Sequence, residues 1–105
     1  MNFKNCNKNK LTSNIIQILG KHLNLEEFRV FYFGSRVSGK GSERSDIDVG
    51  LLGTLQIPIE KMEKIKEDIE NLPYLYKIEL VDFTQVSEEF KKVAMQNIEE
   101  IKIND

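Results

Sequence analysis

The chain has 105 residues, of which 40% are hydrophobic and 30% charged, a composition typical of one compact globular domain rather than of a disordered segment. No apolar run approaches the length of about eighteen residues that crosses a membrane, and the polar N-terminus lacks the apolar core of a signal peptide. The single cysteine, Cys6, excludes an internal disulfide, and no Cys/His cluster is present to hold zinc. We therefore expect a cytoplasmic protein with a single domain over residues 1–105.

The net charge of -2 conceals an asymmetry along the chain. Residues 1–45 contain eight Lys/Arg and three Asp/Glu, whereas residues 46–105 contain seven Lys/Arg and fourteen Asp/Glu. A basic loop region beside an acidic strand suits a site that must hold both polyphosphate and cations. Solvated helix faces are the alternative explanation, and they account for much of the acidic excess in residues 60–70 and 88–100.

The first half of the chain predicts a helix followed by two strands. Residues 1–10 are expected to form a flexible lead-in. Thr12 or Ser13 is expected to cap a helix, because apolar residues then recur at helical spacing.

Residues 28–33 (FRVFYF) are β-branched and aromatic and predict a buried strand bounded by Gly34. A Gly/Ser-rich stretch leads to a second strand, DIDVGLL, whose weakening end is marked by Gly50 and Gly53.

The second half predicts two more helices and a third strand. After Pro58, apolar residues spaced three or four apart predict an amphipathic helix that ends near Pro73. Residues 75–83 predict the third strand. Ser87 is expected to cap a last helix that runs through Phe90, Val93, Ala94, Ile98 and, if the helix extends so far, Ile101. The final IKIND predicts either a frayed helix end or an edge strand. The fold class is thus α/β (α+β), a small three-stranded mixed sheet backed by helices.

Two carboxylates at the start of the second strand carry the strongest chemical signal. Side chains alternate along a strand, so Asp46 and Asp48 point to the same face, roughly 7 Å apart. Burying that face is costly unless cations neutralise it. Magnesium prefers carboxylate and phosphate oxygens and usually accompanies a nucleotide. Two such ions can stabilise the attacking and the leaving oxygen in phosphoryl transfer.

The Gly-Ser pair before this strand predicts phosphate binding. Gly34 permits close backbone approach, and Ser35 adds a hydroxyl and a backbone N–H where a short helix can begin. The nucleotide-binding prediction also includes the cationic residues that are near enough in sequence to reach a triphosphate, together with the serine that precedes the acidic pair: Arg36, Lys40, Arg44 and Ser45. The spacing does not decide which cation makes the contact.

A phosphate-binding-loop motif is nearly matched by GSRVSGKGS, but we reject it. The position after Lys40 is Gly41, so the metal-binding hydroxyl of that motif is missing. In addition, the following GSERSD is turn-like and shows no helical pattern.

The third predicted strand offers two candidates for a third acidic ligand. Glu79 and Asp82 are three residues apart and so lie on opposite faces of an ideal strand. Asp82, at the strand's end, is expected to face water. Glu79, in mid-strand, requires something to neutralise it, and we favour Glu79 over Asp82.

The combined pattern resembles the DNA polymerase β-like nucleotidyltransferase superfamily, in particular its minimal (MNT) branch. The resemblance extends from residue 28 to residue 98 and is closest in FGSRVSGKGSERSDIDVGLL. It implies the palm-like fold of that superfamily. By position, Gly34 and Ser35 resemble its phosphate-contacting pair, and Asp46 and Asp48 its metal ligands. Glu79 falls where the family more often has Asp.

The resemblance also implies an activity and a partner. Many MNT proteins are paired with a helical HEPN protein, and in some pairs the MNT antitoxin transfers AMP from ATP to a tyrosine of the HEPN ribonuclease. The expected function is therefore Mg²⁺-dependent transfer of AMP from ATP to an external acceptor, with Asp46, Asp48 and Glu79 as catalytic and metal-binding residues.

Two other functions compete with this expectation. The chain can instead be a catalytically weak or inactive nucleotide-binding subunit that inhibits its partner by direct contact, and the glutamate at position 79 keeps that alternative open. Direct nucleic-acid binding is disfavoured, because the basic residues cluster in one loop and the overall charge is acidic. Exposed apolar edges in so small a domain predict a partner protein or a homo-oligomer.

Overall fold

The computed structural model describes residues 8–34, 37 and 46–102. The described elements are helix α1 (Lys8–His22), a 3-10 turn (Leu25–Glu27), strands β1 (Arg29–Phe33) and β2 (Ile47–Leu52), helix α2 (Ile59–Glu70), strand β3 (Ile78–Asp82), helix α3 (Glu88–Ala94) and strand β4 (Glu99–Ile101). Within these residues, no helix combines the length and apolar character that a membrane span requires.

The strands form one mixed sheet in the order β3-β2-β1-β4. Strand β1 is antiparallel to both β2 and β4, whereas β2 and β3 are parallel. The predicted mixed sheet backed by helices is confirmed, but the described part of the chain contributes four strands rather than three.

The additional strand replaces the predicted end of the last helix. Helix α3 stops at Ala94, so neither Ile98 nor Ile101 is helical. These two residues are three apart, which mimics a helical period, yet Ile101 is buried in an edge strand that pairs with β1. The Arg29 guanidinium donates two hydrogen bonds to Glu100, at 2.8 and 3.1 Å, across this pairing.

The N-terminal helix begins earlier than the capping pattern predicted. Residues 8–10, expected to belong to a flexible lead-in, form the first turn of α1, and residues 1–7 lie outside the described part. Leu11 is fully buried and extends the apolar stripe upstream, which accounts for the earlier start. Thr12 is therefore inside the helix, and its hydroxyl lies 2.6 Å from the Tyr32 hydroxyl.

Helices α2 and α3 begin where their sequence signals predicted. Pro58 precedes α2, and Ser87 caps α3 by accepting a hydrogen bond from the backbone N–H of Phe90 at 3.1 Å. Helices α1 and α2 meet through His22, whose Nε2 donates to the Asp68 carboxylate at 2.8 Å. This hydrogen bond is the main reason that the pKa of Asp68 lies below its usual value.

The two faces of the sheet are covered differently. One face packs against α1 and α2 in the main core, which buries aliphatic residues of the strands such as Val30, Val49 and Leu51. The opposite face carries an aromatic cluster of Phe31, Phe33 and Phe83, against which Ala94 and Met95 pack. Asp48, which pairs with Phe33, lies on this second, partly open face.

Gly50 is a packing residue rather than a weak strand end. It lies in the middle of β2, and a Cβ atom at this position would collide with the rings of Phe31 and Phe83. The absence of a side chain lets the aromatic cluster approach the sheet. The sequence prediction that Gly50 marks the fading of this strand was therefore wrong.

Candidate active site

Two carboxylates stand side by side on the open face of the sheet. In the parallel pairing of β2 and β3, Asp48 is in register with Glu79, and in the antiparallel pairing Asp48 is opposite Phe33 of β1. Directly paired residues project from the same face of a sheet. Asp46 precedes β2 and is exposed, close enough to affect the ionisation of Asp48.

The environment of Asp48 disfavours its negative charge. Three effects raise the pKa of Asp48 to about 6. The largest is partial burial, followed by the negative charge of Asp46 and then by that of Glu79. Burial removes water from the carboxylate, and the two neighbouring acids add like-charge repulsion. Groups of negatively charged oxygen ligands such as these carboxylates suit hard divalent cations such as Mg²⁺.

The three predicted ligands do not form a closed cluster. Among residues 8–34, 37 and 46–102, no three His, Cys, Asp or Glu side chains are grouped so that they could hold a metal ion. Lys77 forms an ion pair with Glu79, and its Nζ lies 3.3 Å from Glu79 Oε1. The negative charges of Asp46 and Glu79 both act on Asp48, so the donor chemistry of these three carboxylates suits a divalent cation.

Gly34 lies against Asp48 at the end of β1. Its φ of 89° is in the left-handed region that favours glycine, and a Cβ atom at this position would overlap with Asp48 Oδ2. The Gly34 carbonyl accepts a hydrogen bond from the backbone N–H of Val37 at 3.1 Å. Gly34 therefore leaves room for the Asp48 carboxylate, and its predicted contact with a phosphate stays a prediction.

The remaining predicted nucleotide-binding residues lie outside the part that the structure describes: Ser35, Arg36, Lys40, Arg44 and Ser45. Their predicted contacts with a triphosphate stay predictions. Both ends of the segment that contains them, Gly34 and Asp46, adjoin Asp48.

Asp82 has a different position from the one expected. It is not in water at the strand's end but 9% exposed. Its carboxylate accepts hydrogen bonds from the backbone N–H groups of Ile57 and Thr84, both at 2.9 Å, and from the Thr84 hydroxyl at 2.7 Å. These contacts tie the segment before α2 to the end of β3. Between the two acids considered, Glu79 alone lines the open face with Asp48.

A cleft of about 600 Å³ lies over the carboxylates. Gly34, Asp48 and Glu79 line one part of it, and the other part is formed by α3 and the segment that follows. The sequence prediction missed this second part, which comprises Phe90, Val93, Ala94, Gln96 and Asn97. Phe90 and Val93, which were predicted only as residues of the last helix, are 44% and 67% exposed. Their apolar character next to two amides was the available signal.

A comparison with protein families matches residues 13–105 to the family described as polymerase beta nucleotidyltransferase. A curated relative from Haemophilus influenzae, named "Probable protein adenylyltransferase MntA", is 27% identical over 67 residues. The alignment covers 64% of this chain and 59% of the relative, so it spans less than two thirds of that protein's length.

Two solved structures share the fold. A crystal structure of a toxin–antitoxin with AMP-PNP superposes with a TM-score of 0.70 at 17% identity, covering 90% of this chain and 74% of that chain. A tri-AMPylated Shewanella oneidensis HEPN toxin in complex with MNT antitoxin gives a TM-score of 0.69 at 14% identity, covering 93% and 74%. At these identities the superpositions establish a common architecture.

Proposed function

This chain belongs to the polymerase beta nucleotidyltransferase family, and from that premise we propose that it transfers AMP from ATP to a hydroxyl group of a HEPN-type partner protein, acting as an antitoxin. The observation that carries the proposal is the row formed by Gly34, Asp48 and Glu79 in one cleft, with Asp46 beside it. The names of the relatives, a protein adenylyltransferase and an MNT antitoxin bound to a HEPN toxin, support the choice of acceptor.

The proposed reaction is a displacement at the α-phosphorus of ATP. The acceptor oxygen forms a bond to this phosphorus, the bond to the bridging oxygen of the β-phosphate breaks, and pyrophosphate leaves with the bonding electrons. The acceptor's proton passes to a carboxylate, for which Glu79 is suited because it is half-exposed at the cleft floor. Base catalysis of this kind contributes typically about 10²–10⁴-fold.

Asp46, Asp48 and Glu79 are the residues that would hold Mg²⁺, which when bound supplies positive charge to the phosphate oxygens. The chain's own contribution is to keep these acids on adjacent strands and to bring the Gly34 backbone against Asp48. We propose that the basic side chains of the 35–45 segment contact the triphosphate.

Label transfer tests the proposed reaction. The chain and a co-expressed HEPN-type partner are incubated with Mg²⁺ and ATP radiolabelled at either the α- or the γ-phosphate. We expect the partner to acquire label from the α-position alone, and Asp48→Asn to abolish this labelling. Glu63→Gln, which alters an exposed acid on α2, serves as the matched control. Labelling from the γ-position would identify a kinase reaction instead.

Inhibition by contact is the second candidate, favoured by the glutamate at position 79 and by its ion pair with Lys77. It predicts that an Asp46→Asn, Asp48→Asn double variant still binds and silences the partner. Loss of silencing with an intact complex would favour catalysis and exclude this candidate.

A further inference from the structure

The wall that α3 contributes to the cleft is apolar. Phe90, Val93 and Ala94 of α3 line it, and Val81 of β3 continues it toward Glu79. Ligand sites of about 300–1,000 Å³ are typically lined by apolar side chains with a few polar groups that fix orientation. This cleft, at about 600 Å³, combines such a wall with the two carboxylates at its floor.

The ring of Phe90 is held in place while it remains accessible. It contacts Phe33 edge-to-face, with ring centroids 6.2 Å apart, and it contacts Phe83 at 5.8 Å. These neighbours are buried, yet Phe90 itself is 44% exposed toward the cleft. A ring fixed by packing offers a flat apolar surface that loses little side-chain entropy when a planar group packs against it.

Two amide side chains, those of Gln96 and Asn97, border the apolar wall. Each amide has both a donor and an acceptor, and bidentate pairing of Asn or Gln with the N6 and N7 atoms of adenine is a recurrent contact. Such amides can form hydrogen bonds with the edge of a base, whereas an apolar wall can pack against its face.

From this arrangement we infer that the α3 wall, defined as Phe90, Val93 and Ala94, is the nucleobase subsite, with Gln96 and Asn97 contacting the base edge. The inference rests on the proposed function in that the substrate is a nucleoside triphosphate. It assigns the base to α3, the phosphates to the end of β1 and the acids between them.

Calorimetric titration of the full chain with ATP and, separately, with inorganic tripolyphosphate tests this assignment. Removing a stacking ring costs about tenfold or more in base affinity, so Phe90→Ala should raise the Kd for ATP by about tenfold. The Kd for tripolyphosphate, which has no base, should not change. Leu75→Ala removes a fully exposed apolar side chain outside the cleft and should affect neither ligand.

Val93→Ser provides a variant that does not disturb the aromatic cluster, because Val93 is 67% exposed. It should weaken ATP binding in the same direction and leave tripolyphosphate binding unchanged. If both variants fold, as judged by circular dichroism, and both bind ATP like the unmodified chain, the assignment is overturned. A raised KM for a protein acceptor with an unchanged Kd for ATP would also overturn it, since the wall would then belong to the acceptor.

Asn97→Asp tests the contact with the base edge. A carboxylate accepts hydrogen bonds but donates none, so it can still accept from adenine N6–H but loses the bond to N7, whereas the same edge of guanine presents two acceptors, O6 and N7. We expect the ratio of the Kd for GTP to the Kd for ATP to rise, and an unchanged ratio would refute this contact. These binding results are independent of transfer: if no partner is modified but the base effects hold, the proposed function fails and the subsite stands.

Discussion

At the scale of single residues, the site depends on a contact between a glycine backbone and a carboxylate. Gly34 adopts a φ of 89°, and its missing side chain leaves the space that Asp48 Oδ2 occupies. Asp48 in turn is the residue on which burial and two neighbouring charges act. The conformation of Gly34 therefore leaves room for the carboxylate on which these charges act.

Gly34→Ala is expected to damage both stability and transfer. A non-glycine residue in the left-handed region costs about 1–3 kcal/mol, and the new methyl group also displaces the Asp48 carboxylate. The free energy of unfolding, measured by urea denaturation, should fall by about that amount, and AMP transfer should be lost.

Gly20→Ala is the matched control for this substitution. Gly20 lies inside α1, and a Cβ atom there would make ordinary contact with Leu25 at 3.6 Å. Alanine should stabilise the helix by about 0.5–1 kcal/mol and leave transfer intact. Equal losses in the two variants would contradict the role assigned to Gly34.

Asp48 should make the metal-free protein less stable as the pH rises. Its pKa in the folded state, about 6, lies above the ordinary value of 3.8, so the folded protein binds more protons between these limits. The free energy of unfolding therefore falls from about pH 4 to about pH 6, and the cost is complete above pH 6. Solvent screens a side chain that is only half-buried. We therefore expect the free energy of unfolding to fall by about 1 kcal/mol, which is less than the pKa shift alone would give.

Asp48→Asn removes this titration. The variant should be more stable than the unmodified chain at pH 7.5, and the difference should disappear at pH 4, as measured by urea denaturation in the presence of a chelator. Glu63→Gln is again the control. If the variant and the unmodified chain differ in stability by the same amount at both pH values, the fold does not raise the pKa of Asp48.

At the scale of elements, strand β3 separates two acids into different roles. Asp82 faces the segment before α2 and accepts hydrogen bonds from two backbone N–H groups, whereas Glu79, three residues earlier, faces the cleft. The alternation of side chains along a strand produces this division. One acid supports the fold, and the other is available to a substrate.

Substituting each acid by its amide should separate these roles. Asp82→Asn leaves a buried N–H without its acceptor and should lower the free energy of unfolding by about 1–3 kcal/mol. Glu79→Gln, at a half-exposed position, should change stability by less than about 0.5 kcal/mol and abolish transfer. Paired urea and label-transfer measurements check both, and the reverse pattern would make Asp82 the third acid of the site.

The elements differed in how far their sequence predicted them. The regular spacing of Met62, Ile65 and Ile69 predicted α2, because twelve residues suffice to display a helical period. Helix α3 has seven residues and β4 three, too few for either period to be distinguished. Ile98 and Ile101 were therefore assigned to a helix that had already ended, whereas Ile101 pairs with Val30 of β1 and Ile98 precedes β4.

At the scale of the whole molecule, the candidate site combines residues that the sequence predicted with residues that only tertiary packing brings to it. Gly34, Asp48 and Glu79 were identified from motif and strand alternation, and the structure places them along one cleft. The α3 wall was not predicted, because it depends on how α3 crosses the aromatic cluster, a contact between residues far apart in sequence. The basic segment between Gly34 and Asp46 remains a prediction from sequence.

The proposed function requires that the acceptor is another protein, and the intact mass of a co-expressed HEPN-type partner tests this most directly. After incubation with ATP and Mg²⁺, the partner should gain the mass of one or more AMP residues, and Asp46→Asn should prevent the gain. An unchanged partner mass, in a stable complex that binds ATP, would contradict protein adenylylation and support inhibition by contact.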